Sequence, residues 1–311
     1  MRLRVPPAGR LRRGVPPLRL LATAAVVLSA CLPGNREAKR LNRACEAGEA
    51  AACNSFGQKL LKGEYVLRDE PRAAATLRKA CDGGVAEGCA RLGILYQNGT
   101  GIGRDSGRAL AHFQQACDGG AMDGCTRLGL LYGAGAGVSL DLARAAALFQ
   151  RACDGGSMTG CAHLGAAYAG GLGVGQDYAK AAALLRRSCD AKAAPGCLGL
   201  GRLTAAGTGV ARNDSLAVVL YKQACDANEV AACFLRGKSY ETGTGVKQDF
   251  STAAELYREA CSGRHGEACF NLAGMYQRGA GVRQNTERAT QMTRRACELK
   301  YLEACPKAKG T

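Results

Sequence analysis

The chain has 311 residues with 47% apolar content, 17 cysteines, 43 glycines, three histidines, no tryptophan and a formal charge of +16. That is enough apolar material for a large core, and three histidines are too few for an elaborate histidine-based metal or acid–base centre. The charge would suit nucleic acid, but six arginines (Arg2, Arg4, Arg10, Arg12, Arg13, Arg19) fall in the acid-free first 30 residues, and without them the charge is +10. What remains shows no aromatic-rich basic stripe and no nucleic-acid motif, so anionic surfaces or acidic proteins are the better expectation and nucleic acid is excluded as a partner.

Residues 1–30 read as a signal peptide. The basic start is followed by LLATAAVVLSAC at 20–31, an apolar run far below the roughly 20 residues that cross a bilayer but fitting for an export signal. Leu28-Ser29-Ala30-Cys31 resembles the bacterial lipobox, in which small residues precede a cysteine that is lipidated and becomes the new N-terminus. Cys31 is thus the expected lipidation site and membrane anchor, residues 31–35 its short linker, and 36–311 the folded part. Leu32, rather than Asp, after that cysteine resembles outer-membrane sorting, with the protein facing the periplasm or the surface. Arg12-Arg13 leads into Gly-Val-Pro-Pro rather than an apolar run, so a twin-arginine signal is a weak reading.

The other sixteen cysteines form a strict pattern: Cys45 and Cys53, Cys81 and Cys89, Cys117 and Cys125, Cys153 and Cys161, Cys189 and Cys197, Cys225 and Cys233, Cys261 and Cys269, Cys297 and Cys305. Members of a pair are eight apart and successive pairs are 36 apart. Structural zinc prefers ligands about two to four residues apart in each half-site, and neither CxxC nor CxxCH occurs. Cysteine nucleophiles need an activating neighbour, which three histidines cannot give to eight equivalent pairs. Disulfides suit an exported chain, so eight local disulfides are expected, each closing a loop worth about 2.5 kcal/mol of chain entropy. No metal and no cofactor is expected.

A period of 36 points to a solenoid of helix pairs. In one unit, SGRALAHFQQAC after Asp105 carries Leu110, Phe113 and Cys117 on one helical face. Asp69, Asp105, Asp141, Asp177, Asn213, Asp249 and Asn285 recur as N-caps. Asp118-Gly119-Gly120 turns the chain, and a second helix runs from about Asp123 to Tyr132. The loop beyond it repeats glycine at 99, 135, 171, 207, 243 and 279, and again two residues later, as a left-handed exit from a helix requires. Such GxG loops lack the preceding strand of a dinucleotide fingerprint. Glycine also sits inside the second helix at 57, 93, 129, 165, 201 and 237, where it costs about 1 kcal/mol against alanine unless helices approach closely. Alanine takes that place at Ala273.

LGILYQNGTGIGRD (92–105), LGLLYGAGAGVSLD (128–141) and LGAAYAGGLGVGQD (164–177) resemble the Sel1-like repeat, a tetratricopeptide-like helix pair, and the Cys-x7-Cys spacing resembles its disulfide-rich subgroup, including the Helicobacter cysteine-rich proteins. The resemblance covers roughly residues 36–306 and implies an all-α solenoid of about eight disulfide-clamped hairpins. Departures are local: Thr204 stands where Tyr is usual, Arg236 where Leu is usual, and 62–70 lacks the GxGV loop. The resemblance further implies a scaffold, here expected to be monomeric, that binds a protein or peptide on a concave face lined by first helices, with His112, Gln114, Gln115, Arg186, Arg187, Glu255 and Arg258 among the residues presented. Tyr96, Tyr132, Tyr168, Tyr240 and Tyr276 recur in register and are expected to pack in the core.

Penicillin binding or β-lactam hydrolysis, described for Helicobacter cysteine-rich relatives, is the alternative that the resemblance implies. The residues argue against it: no serine has a lysine three positions on, no GxSxG elbow occurs, and His112, His163 and His265 lie in different repeats. No catalytic residue is assigned. A redox-active pair is a third reading, invisible among eight equivalent spacings.

Overall fold

The structure is a computed structural model and describes residues 33–305. Those residues form fifteen α-helices, α1 Pro33–Glu46, α2 Ala50–Lys62, α3 Glu70–Asp82, α4 Ala86–Asn98, α5 Ser106–Asp118, α6 Met122–Ala134, α7 Leu142–Asp154, α8 Met158–Gly170, α9 Tyr178–Asp190, α10 Ala194–Ala206, α11 Asp214–Asp226, α12 Val230–Thr242, α13 Phe250–Ser262, α14 Gly266–Arg278 and α15 Thr286–Glu298. A single 3-10 turn, Leu302–Ala304, follows, so among the described residues the last unit has no full second helix. Helix α1 begins at Pro33, within the linker expected from sequence. Residues 1–32, including Cys31, lie outside the described residues.

Odd-numbered helices are the first helices of hairpins and even-numbered ones the second. From α3 to α15 each first helix is started by the expected Asp or Asn, whose side-chain oxygen accepts a backbone N–H at 2.8–3.1 Å from the residue three places on. The cap supplies a partner for an amide that the helix itself leaves orphaned. Second helices end on a left-handed glycine, for example Gly171 at φ 63°. Two residues on, Gly173 lies where a Cβ would sit 2.0 Å from the carbonyl oxygen of Leu142, so the loop closes against the start of its own hairpin.

Cysteine pairs are bonded across every closed end, with Cα atoms 4.5–4.8 Å apart. The first seven disulfides are buried, while Cys297 and Cys305 at the C-terminal end are half-buried. Turn chemistry varies more than the disulfides: the left-handed turn residue is Gly84, Gly120 and Gly156 in early units but Lys192, Asn228, Arg264 and Lys300 in later ones.

Glycines within second helices have the packing reason that the sequence suggests. A Cβ on Gly93 would lie 2.6 Å from the Phe113 ring, and on Gly129 2.6 Å from the Phe149 ring. Each glycine thus receives the large side chain of the following first helix, and neighbouring core clusters meet through half-buried residues such as Tyr132 and Tyr168.

Candidate functional site

The side chains that recur on one face of the first helices assemble around the tyrosines. Tyr96 on α4 projects between α3 and α5, and its hydroxyl accepts from Arg78 at 2.7 Å and from Arg108 at 3.3 Å. The Arg108 guanidinium lies 5.6 Å from the ring centre, and His112 stacks on the ring at 5.4 Å. Burial pulls the phenol's pKa up, but the hydrogen bonds from Arg108 and Arg78 outweigh it, so the net shift is below the ordinary value.

The same construction returns at 36-residue intervals. Arg144 lies 4.2 Å over Tyr132, Lys180 5.4 Å over Tyr168 and Arg288 5.7 Å over Tyr276. Tyr276 also meets Arg258, and its pKa falls despite burial for the same reason as that of Tyr96. Arg108, Arg144, Lys180 and Arg288 each sit three residues after a helix cap, so the capping bond fixes the start of the turn that carries the cation. A cation over an aromatic face is attracted by the negative face of the ring.

This face corrects two expectations. Tyr96 and Tyr276 are buried, whereas Tyr132, Tyr168 and Tyr240 pack against the core but are only half-buried. A ladder of cations and tyrosines also exists where no basic-aromatic stripe was evident in linear order, because its members stand 12 and 18 residues apart and meet only when the hairpins stack. The signal was available as a shared register of Arg78, Tyr96 and Arg108 with Arg258, Tyr276 and Arg288.

The other residues singled out from sequence divide by position. Gln115 and Arg187 reach back to the preceding hairpin's disulfide, with side-chain atoms 3.2 Å from Cys81 Sγ and 3.9 Å from Cys153 Sγ. Gln223 does the same at 3.5 Å from Cys189 Sγ, and Glu259 lies beside Cys225 and Cys233. Gln114 makes only a local bond to Asp118, and Glu255 is exposed. Those four disulfides are therefore covered by the first helix that follows each of them.

No chemistry converges at the histidines. His163 stacks on Phe149, and His265 stacks on Phe234 while its Nδ1 caps α14 by accepting from Ala268 N–H. Burial lowers the pKa of all three histidines; Arg78 adds to that at His112, whereas Glu267 opposes it at His265. Among the described residues, the one cluster with metal-ligand spacing is Cys225, Cys233 and Glu259, whose two sulfurs are already bonded to each other. That donor set does not fit a metal, because a ligating cysteine must be a free thiolate.

Repeated helix pairs, local disulfides and a continuous side-chain face define an α-solenoid of the disulfide-clamped kind. The Sel1 repeat model matches residues 50–85, 86–120, 123–157, 159–192, 194–229, 230–265 and 266–301, so the chain belongs to the Sel1 repeat family. Proteins of Sel1 repeats generally mediate protein–protein interactions. A protective antigen of uropathogenic Escherichia coli with an SLR fold is 25% identical, with TM-score 0.61 over 86% of this chain and 57% of that one. This chain therefore spans little more than half of that antigen. A Sel1 repeat protein from Oxalobacter formigenes is 24% identical, with TM-score 0.62 over 86% of this chain and 77% of its own. Helicobacter pylori cysteine rich protein B is 28% identical over 42% of this chain and 93% of its own, with TM-score 0.35. No curated protein matches the chain.

Among the described residues no helix is long and apolar enough to cross a membrane. Eight disulfides suit an oxidising, exported environment.

Proposed function

We propose that the chain is an exported, lipid-anchored scaffold of the bacterial cell envelope that binds proteins or extended peptides along the face of its first helices. On this reading that face is the concave side of the superhelix. The carrying observation is the periodic ladder of Tyr96, Tyr132, Tyr168 and Tyr276 with Arg108, Arg144, Lys180 and Arg288 over their rings. The half-buried rings of Tyr132 and Tyr168 and the row of cations offer repeated polar and aromatic contacts at low ordering cost, which suits an acidic segment lying across several repeats. The lipobox-like Leu28–Cys31 and Leu32 support anchoring at Cys31 in the outer membrane. Eight clamped hairpins fit a surface that must keep its shape without cytosolic quality control.

Capture from envelope extract on the oxidised protein tests the binding role, with the same chain reduced and alkylated as control. Partners retained only by the oxidised form support the reading, and an identical set on both forms overturns it. Metabolic labelling with a fatty acid, lost in Cys31→Ser, tests the anchor. Concentration-dependent turnover of a chromogenic cephalosporin would replace the scaffold with the hydrolase alternative.

A further inference from the structure

Two units depart from the ladder: the one at 240 keeps its tyrosine but has Thr252 at the cation's place, and the one at 204 loses both ring and cation. At 204 the recurrent tyrosine is Thr204, whose hydroxyl turns back to donate to the Leu200 carbonyl at 2.8 Å. The cation that should follow twelve residues later is Leu216, which is 47% exposed. In place of the ring there is a cavity of about 700 Å³, lined by Arg186, Leu200, Thr204, Leu216, Leu220 and Gln223 and floored by the Cys189–Cys197 disulfide.

The lining identifies what is missing. Arg186, Leu216 and Leu220 stand 18 before, 12 after and 16 after position 204. Around Tyr96 those three registers are Arg78, which touches its hydroxyl, and Arg108 and His112, which lie against its ring. The cavity is the seat of the absent ring, with an arginine still at its polar end and leucines on its walls. Arg78 and Arg258 are engaged by the hydroxyls of Tyr96 and Tyr276, whereas Arg186 is exposed and has no hydrogen bond or ion pair among the described residues. Lys192 adds a second positive charge at the rim. Of the two rim carboxylates, Asp226 is held by Lys222, which leaves Asp190 alone against Arg186 and Lys192.

We propose that this vacancy receives a tyrosine side chain from a protein partner, the ring seated against Leu200, Leu216 and Leu220 and the hydroxyl accepting from Arg186. The chain's own tyrosines, in the same seat of other repeats, are the template for the occupant. The volume exceeds one ring and leaves room for the partner's flanking main chain. Aromatic anchors in a desolvated pocket beside an arginine are the contacts that dominate protein interfaces. This deepens the scaffold reading and rests on it for the partner's existence, but the pocket's chemistry can be measured without a partner.

The experiment titrates the oxidised protein with N-acetyl-tyrosinamide, N-acetyl-phenylalaninamide and N-acetyl-leucinamide, following the leucine methyl resonances of the pocket. Saturable shifts of Leu216 and Leu220 are expected, with tyrosinamide about tenfold tighter than phenylalaninamide, the usual size of a hydrogen bond from a charged donor. Thr204→Tyr, which installs the residue other repeats carry, is expected to abolish the shifts, and Thr204→Phe serves as a second blocked form. Arg186→Met is expected to erase the preference for the phenol and leave phenylalaninamide binding unchanged. No saturable shift in the parent protein, or equal shifts in both blocked forms, overturns the proposal. If the amides bind as stated but envelope capture fails, the pocket stands and the scaffold reading falls. If capture succeeds unchanged in Thr204→Tyr, the scaffold stands and the pocket falls as its anchor.

Discussion

Replacing Gly129 by alanine sets two known effects against each other. Alanine should favour α6 by about 1 kcal/mol, because glycine in a helix interior loses more backbone freedom on folding. The new Cβ, however, would lie 2.6 Å from Cε1 of Phe149 and 3.2 Å from the carbonyl oxygen of Ala145 on α7. Phe149 cannot swing clear, being buried and stacked against His163. Overpacking of this kind costs about 1–3 kcal/mol, so the net expectation is a loss of about 1 kcal/mol that separates α6 from α7. A solenoid need not unfold in one step, so local hydrogen exchange is the suitable assay. Backbone amides within 122–154 should exchange several-fold faster in Gly129→Ala, while those beyond α10 stay unchanged. Ala273 supplies the internal control, since it faces the small Thr293 across a cavity of about 240 Å³. There Ala273→Gly should speed exchange by losing about 1 kcal/mol of helix propensity alone. Slower exchange in Gly129→Ala would refute the close-approach account and leave the glycine series without a packing reason.

Asp141→Ala removes the oxygen that accepts Arg144 N–H at 2.8 Å and should cost about 1 kcal/mol, read as faster exchange in the first turn of α7. On titration with reductant, Cys297–Cys305 should open before the seven buried pairs, because both of its cysteines are half-buried; alkylation and peptide mapping that find another pair first would contradict this. Acidification should weaken the fold through its histidines. His112, His163 and His265 have folded pKa values below the ordinary one of about 6.5. The unfolded chain therefore binds protons first, and the histidine contribution is fully present above pH of about 6.5 and is lost as pH falls from there through the lower folded values. A denaturation midpoint that rises between pH 7.5 and 5.5 would contradict that sign.

A repeat sequence makes its fold legible because every physical requirement is stated several times. Asp105 as a cap is one residue among many, but Asp69 through Asn285 in one register can only be a structural instruction, and all seven cap as expected. Cysteine spacing was legible for the same reason, since eight residues around a tight turn bring two Cα atoms within bonding reach. Side chains that meet across hairpins were less legible. Arg78 and Arg108 are 30 residues apart, and nothing in linear order says that one phenol accepts from both. Their convergence depends on how far each hairpin rotates past the last, which the 36-residue period leaves open. Thr204 shows the consequence. In sequence it is a mild departure, a polar residue for an aromatic one, and every helix around it still forms. Only the positions of Arg186, Leu216 and Leu220 turn the substitution into a cavity with a defined shape. Register residues carry the architecture, so residues that leave the register without damaging the fold are where a solenoid is free to become specific for one partner.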